Sequence, residues 1–292
     1  MQEILSSMQW YILIIISAIL ISFSEIIKKK ILRYEHSTEF STTYSLVITL
    51  LMVPFISYLD LNLPSFIITL LFVKSILLLV SSLLFMKAMK HNELSQIIPL
   101  KNLSPIFLMI LAFFLLNEHI TTTKTLGAVI IMASAYLLEK ETLKKENMFK
   151  NKYFIYVLLS MIFVSFAAVI DKFIIKFTNI YTAIFIPFLL MSIYLLIIQF
   201  TVYNGFKDII HSLKFGKYWI LLSAVTILLS DFTYFSSVAI QGTLISLIIP
   251  LRRVSTLFST ILGGALYHEK FFVDRVAVCI FMLMGVYLLV IA

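Results

Sequence analysis

Long apolar runs separated by short polar gaps fill the chain from end to end. A helix needs roughly 20 apolar residues to cross a bilayer core. Ten stretches meet that measure, at about 9–30, 40–59, 65–87, 94–116, 122–140, 153–176, 181–203, 217–239, 243–267 and 271–291. The longest polar stretch, from Lys140 to Lys152, carries Lys144, Lys145 and Lys150 among Glu141 and Glu146 and divides the chain nearly in half. The pattern predicts an all-α integral membrane protein of ten transmembrane helices. They fall into two five-helix units, 1–140 and 153–292, with a charged linker at 141–152.

The units echo each other. Residues 95–118 set against 246–269 without a gap give eleven identities in 24 positions. Among them are Ser95/Ser246, Pro99/Pro250, Ser104/Ser255 and Glu118/Glu269, which shared leucine content does not explain. The same offset pairs Tyr136-Leu137-Leu138 with Tyr287-Leu288-Leu289. A five-span unit returns the chain to the membrane upside down, so the expected arrangement is an inverted repeat with a pseudo-two-fold axis in the membrane plane.

Composition agrees with bilayer as the solvent: 61% of the 292 residues are hydrophobic and 13% are charged, about half the usual charged share of a soluble domain. The net charge of +8 sits mostly in gaps between apolar runs, which fits a positive-inside bias and not a nucleic-acid surface. Cys279 is the sole cysteine, so no disulfide framework is expected. The start of the chain lacks a basic region and a small-residue cleavage site, so no removable signal peptide is expected. The five histidines (His36, His91, His119, His211 and His268) have no ligand spacing with each other or with Cys279, and no metal or other cofactor is expected. The sequence also holds no phosphate-binding loop, nucleophile elbow or paired-carboxylate motif, and it leaves no room for a soluble nucleotide-binding domain.

The architecture and the repeated segments resemble the drug/metabolite transporter superfamily, in its EamA-type ten-helix form. The most specific match runs from Pro105-Ile106-Phe107 through Asn117-Glu118, with Gly127 in the next helix. Its second copy runs from Thr256 through His268-Glu269, with Gly285. Asn117 and His268 depart from the family's glycine before Glu, and Thr256 from its proline. A narrower likeness links Lys101-Asn102-Leu103-Ser104-Pro105 and Arg252-Arg253-Val254 to the triose-phosphate/phosphate translocators, where such residues grip the substrate's phosphate. Ser24-Glu25-Ile26-Ile27, with Arg33 beyond, looks like the first helix of small multidrug resistance proteins, which implies a proton-exchanging Glu25.

Charges inside apolar spans are costly and mark function by default. Lys101 and Arg252 are equivalent in the repeat, and Arg offers a planar fork of donors suited to carboxylate or phosphate. Arg253 adjoins Arg252, and Lys74 lies mid-span with Asp231 or Glu25 as its expected partner. Counting Lys74, Lys101, Arg252 and Arg253 against Glu25 and Asp231 leaves a surplus of two positive charges. Asp171 and Lys172 are adjacent and are taken to compensate each other. Glu25 either carries protons, if burial raises its affinity for them, or pairs with Lys28 or Lys29 one turn on. Glu118 and Glu269 are expected to accept N–H groups at the start of the following helix. Pro99, Pro105 and Pro250 are positioned to open their helices.

The expected substrate-binding set is therefore Lys101, Arg252, Arg253, Lys74 and Asp231, with Glu25 for coupling. The expected function is secondary transport of a small anionic or zwitterionic metabolite by alternating access in the cell membrane. Proton-coupled efflux of cationic drugs through Glu25 is the alternative within transport. A lipid-binding membrane enzyme or scramblase is the alternative outside it. The expected partners are a small-molecule substrate and the bilayer, without nucleic acid, and a monomer is the expected state.

Sixteen Lys and Arg residues fall in the odd-numbered gaps and three on the opposite side. This bias places the linker in the cytoplasm and both termini outside, whereas the family resemblance implies cytoplasmic termini. A reporter fused after Ala292 is expected to face outward and one inserted near Glu146 inward. Cytoplasmic labelling of the C-terminus would overturn the charge-derived orientation.

Overall fold

The computed structural model describes residues 2–116, 121–140, 151–240, 243, 245–269 and 272–291. Those residues form helices α1 (Gln2–Leu32), α2 (Ser37–Met52), α3 (Ser65–His91), α4 (Leu94–Ile97), α5 (Ser104–Leu116) and α6 (Thr122–Lys140) in the first half. The second half holds α7 (Lys152–Ile174), α8 (Ile180–Val202), α9 (Phe206–Ala239), α10 (Ile245–Arg252), α11 (Val254–Leu266) and α12 (Phe272–Ile291). Tighter 3₁₀ turns follow α2 at Val53–Tyr58 and join α4 to α5 at Pro99–Leu103. No strand occurs among the described residues.

Seven helical stretches among the described residues are long and apolar enough to cross a membrane, the last of them Phe206–Ala239. Helices α6, α10, α11 and α12 occupy the remaining expected spans, with shorter apolar runs at Thr125–Ser134 and Val254–Leu266. The expected span 217–239 begins at a real discontinuity. Lys217 takes φ 43° and ψ −132°, so Phe206–Gly216 is a separate helical segment set at an angle to the span. Proline explains the other breaks. Pro99 has no N–H to give Ser95, and the chain tightens into a 3₁₀ turn through Lys101. In the second half the helix stops at Arg252 and restarts at Val254, so the interruptions fall at repeat-equivalent places.

Packing recurs when the halves are exchanged. Helix α1 packs along α9 and α3 along α7; α2 meets α9 and α8 meets α3; α1 meets α11 and α7 meets α5; α4 meets α11 and α10 meets α5. The α2·α8 and α6·α12 contacts map onto themselves.

In lipid there is little hydrophobic drive between helices, so close approach of small residues and interhelical hydrogen bonds hold them. Serines supply both here. Ser17 Oγ donates to the Ser230 carbonyl at 2.8 Å, and Ser230 Oγ donates back to the Ser17 carbonyl at 2.9 Å. Ser81 and Ser160 repeat the same reciprocal clasp between α3 and α7 at 3.1 and 3.0 Å. Ser24 and Ser223 form a third between α1 and α9 at 3.0 and 3.3 Å.

Glu269 departs from its expected role. Its carboxylate receives the N–H groups of Leu94 and Ser95, each at 2.7 Å, and so caps α4 in the other half of the chain instead of α12. Arg275 pairs with Glu93 beside it and donates to Ser95 Oγ at 2.9 Å. Glu118, its sequence counterpart, lies outside the described residues.

Helices α6 and α12 approach backbone to backbone. A Cβ built at Gly285 would lie 2.8 Å from the Gly127 carbonyl oxygen and 2.7 Å from an Ile131 side-chain carbon. A carbonyl in a helix cannot step aside. Gly285→Leu is expected to lower the melting temperature of the detergent-purified protein markedly, with an overpacking cost of about 1–3 kcal/mol or more. Exposed Met284→Leu is the control that leaves it unchanged. Equal behaviour of the two variants would contradict this contact.

Candidate functional site

The broken helices and the serine-clasped pairs surround a cavity of about 240 Å³ whose mostly apolar wall carries a set of charged side chains. Its walls include Lys74 and Leu78 from α3, Lys101 from the 3₁₀ turn, Asp171 from α7, Asp231 and Tyr234 from α9, Arg252 from α10, and Arg253 with Ser255 at the start of α11. Ile21, Met161, Pro187, Phe188 and Phe235 supply apolar surface. The volume lies below the roughly 300–1,000 Å³ of drug-sized pockets.

All five residues expected to bind substrate reach this cavity, and both halves of the chain contribute to it. Their partners differ from the expectation. Lys74 pairs with Asp171 at 2.6 Å and donates to the Ala183 carbonyl at 3.1 Å, not to Asp231 or Glu25. Asp171 also accepts from the Tyr234 hydroxyl at 3.3 Å. The Asp171–Lys172 compensation therefore does not form. Successive helical residues point about 100° apart, and only Asp171 of the two lines the cavity.

Glu25 does not pair with Lys28 or Lys29. It bonds to Lys101 and accepts from Ser259 Oγ at 3.1 Å, and at 2% exposure it lies behind Lys101 instead of lining the cavity. Lys29 instead donates to the carbonyls of Met89, at 2.6 Å, and Asn92. Lys28 stands 4.7 Å from the Tyr44 ring centroid.

Arg252 donates to Asp231 Oδ1 at 2.8 Å and to Ser230 Oγ at 2.9 Å. Its guanidinium also lies 4.4 Å from the Tyr234 ring centroid. Ser230 thus serves both the α1–α9 clasp and the site, and fixes the arginine relative to the helix pair. Asn102, the repeat equivalent of Arg253, donates to Thr256 Oγ1 at 3.1 Å across the two broken spans.

Including Asp171 changes the charge balance. The three pairs Lys74–Asp171, Lys101–Glu25 and Arg252–Asp231 compensate one another, which reduces the expected surplus of two to one. Arg253 carries it. Among the described residues no carboxylate pairs with Arg253, and its buried Nε has no hydrogen-bond partner; the buried Nε of Arg252 has none either. Sequence reasoning missed Asp171, Tyr234, Ser230 and Ser259. For Asp171 a signal existed: an acid in an apolar span on the face of Ala167 and Ala168, where small residues leave room for a partner. The other three are ordinary span residues by type.

Comparison with known proteins bears on fold and family. A solved crystal structure aligns over 94% of this chain and 98% of its own length, with a TM-score of 0.63 at 12% identity, a likeness of fold alone. No curated protein matches the chain. Residues 8–139 of this helical, multi-pass membrane protein match the EamA-like transporter family.

Proposed function

We propose that the chain is a secondary transporter that binds a small anionic or zwitterionic metabolite in the central cavity and moves it by alternating access. The units 1–140 and 153–292, joined by the linker 141–152, act as inverted five-helix repeats rocking about the site. The contacts that recur on exchange of halves support this reading.

The single observation that carries the substrate class is Arg253, an uncompensated cation on a wall whose other charges are paired. An unpaired buried charge is expensive, and a substrate carboxylate or phosphate supplies the missing partner. Arg252 offers its own unpartnered Nε beside it. Asp231, engaged by Arg252 through Oδ1 alone, leaves its second oxygen as an acceptor for a substrate ammonium, which is why a zwitterion fits as well as an anion. The cavity volume favours a small metabolite over a bulky drug.

The cationic-drug alternative rests on Glu25, which is held by Lys101 and Ser259 away from the cavity surface. A proton-coupling role remains compatible with anion transport, since protonation of Glu25 would release Lys101 toward the substrate.

Two measurements test the proposal. In proteoliposome counterflow, Arg253→Gln is expected to weaken substrate binding by about 10- to 100-fold, the worth of one charge-assisted hydrogen bond of about 1.5–3 kcal/mol. Arg253→Lys keeps the charge without the fork and is expected to rescue it only partly. Wild-type affinity in a folded Arg253→Gln protein would place the substrate elsewhere. Glu25→Gln is expected to abolish uptake driven by a pH gradient while counterflow persists. Unchanged pH-driven uptake would assign Glu25 to structure alone.

A further inference from the structure

A second cluster lies away from the cavity, where the turn between α1 and α2 meets the first segment of α9. Glu35 occupies the turn, Glu39 the first turn of α2, and His211 the segment Phe206–Gly216 ahead of the Lys217 break. These residues are far apart in sequence, and the histidine spacing that led to an expectation of no metal does not register them. In the fold, Glu35 Oε1 lies 3.6 Å and Glu39 Oε2 3.9 Å from His211 Nδ1, and the three donor atoms fall within 4.8 Å of one another.

Those separations are too long for direct hydrogen bonds. They are close to the spacing of about 3.4 Å between ligands that sit about 2.0–2.1 Å from a shared tetrahedral metal ion. An independent observation concerns Glu35 itself. It is 1% exposed, and neither carboxylate oxygen has a hydrogen-bond partner. Ser212 stands next to it but makes no hydrogen bond of good geometry. Burial pushes the Glu35 carboxyl above the usual carboxylate range, against the opposing pull of Ser212, His211 and Lys90. A buried, unsatisfied carboxylate facing a second carboxylate and an imidazole nitrogen lacks one thing, a cation between them.

We propose that Glu35, Glu39 and His211 form a binding site for a divalent cation of the Zn²⁺ or Mn²⁺ kind. Two carboxylates with one imidazole suit these ions better than Mg²⁺ or Ca²⁺, which prefer all-oxygen shells. His211 is largely exposed while Glu35 is enclosed, so the site opens to solvent on the histidine side. A bound ion ties the α1–α2 turn to the α9 segment and braces the bend at Lys217. Since α1 carries Glu25 and α9 carries Asp231, the ion clamps the two helices that the α1–α9 serine clasps join.

The test uses the full chain, purified in detergent with any affinity tag removed and stripped with a chelator. Zn²⁺ and Mn²⁺ are titrated calorimetrically and by thermal melting, and Co²⁺ serves as a spectroscopic probe of coordination. The wild type is expected to bind one equivalent, to melt at higher temperature with Zn²⁺ or Mn²⁺, and to give a visible d–d band with Co²⁺. His211→Asn and Glu39→Gln alter exposed or half-buried side chains and leave metal-free melting unchanged. They are expected to lose the band and to bind more than about 100-fold more weakly, beyond the loss of an outer-shell partner. No binding by the wild type, or equal binding by the variants, overturns the site. So does stability that rises on acidification and is indifferent to cations, because it assigns the cluster to a histidine–carboxylate ion pair.

Discussion

Buried charge must be compensated, and that constraint shapes the interior of this protein. Cations and carboxylates that would each be costly alone in a bilayer-spanning fold are drawn together in pairs bridging different helices. Lys74–Asp171 joins α3 to α7, Lys101–Glu25 joins the broken fourth span to α1, and Arg252–Asp231 joins α10 to α9. Lys74–Asp171 also crosses from one half of the chain to the other, while the other two pairs each join elements within one half. A charged substrate competing for one member of a pair therefore changes the energy of the interface as well as its own. That is a physical route from binding to rearrangement, because a ligand shifts an equilibrium only by its differential interaction with the two states.

The serine clasps set the frame in which these pairs work. Small side chains let α1 approach α9, and α3 approach α7, closely enough for hydroxyls to reach the opposing carbonyls. Individual hydrogen bonds between membrane helices average about 0.6 kcal/mol, so the clasps specify register more than they supply stability. Ser230 shows the economy of the layout, since its hydroxyl touches Ser17 in the packing interface and Arg252 in the site. The interruptions near Pro99 and after Arg252 complete the frame by bringing Lys101, Arg252 and Arg253 to the cavity wall.

Much of the helical layout was legible in the sequence, because length and apolarity alone separate a membrane helix from its connections. The proline breaks were legible too, since a missing N–H acts locally whatever surrounds it. The segment Phe206–Gly216 was not, because its mixed polar and apolar residues fall short of a span. The cavity's cations could be named from their cost in lipid, but their partners could not. Lys74 was matched to Asp231 or Glu25 and bonds to Asp171; Glu25 was matched to its own helix and bonds to Lys101. Choosing among several acids of equal chemistry requires the helix rotations, and those are fixed by tertiary packing. Glu269 failed in the same way: its capping chemistry was correct, and the helix it caps belongs to the other half.

The central claim is that the cavity selects small solutes bearing a negative charge. It is tested most directly by titrating the purified wild-type protein, in one thermal-shift series, with small carboxylates, phosphorylated metabolites, zwitterionic amino acids and lipophilic quaternary cations. The account predicts stabilisation by members of the first three classes and none by the cations. Stabilisation confined to the lipophilic cations would contradict it.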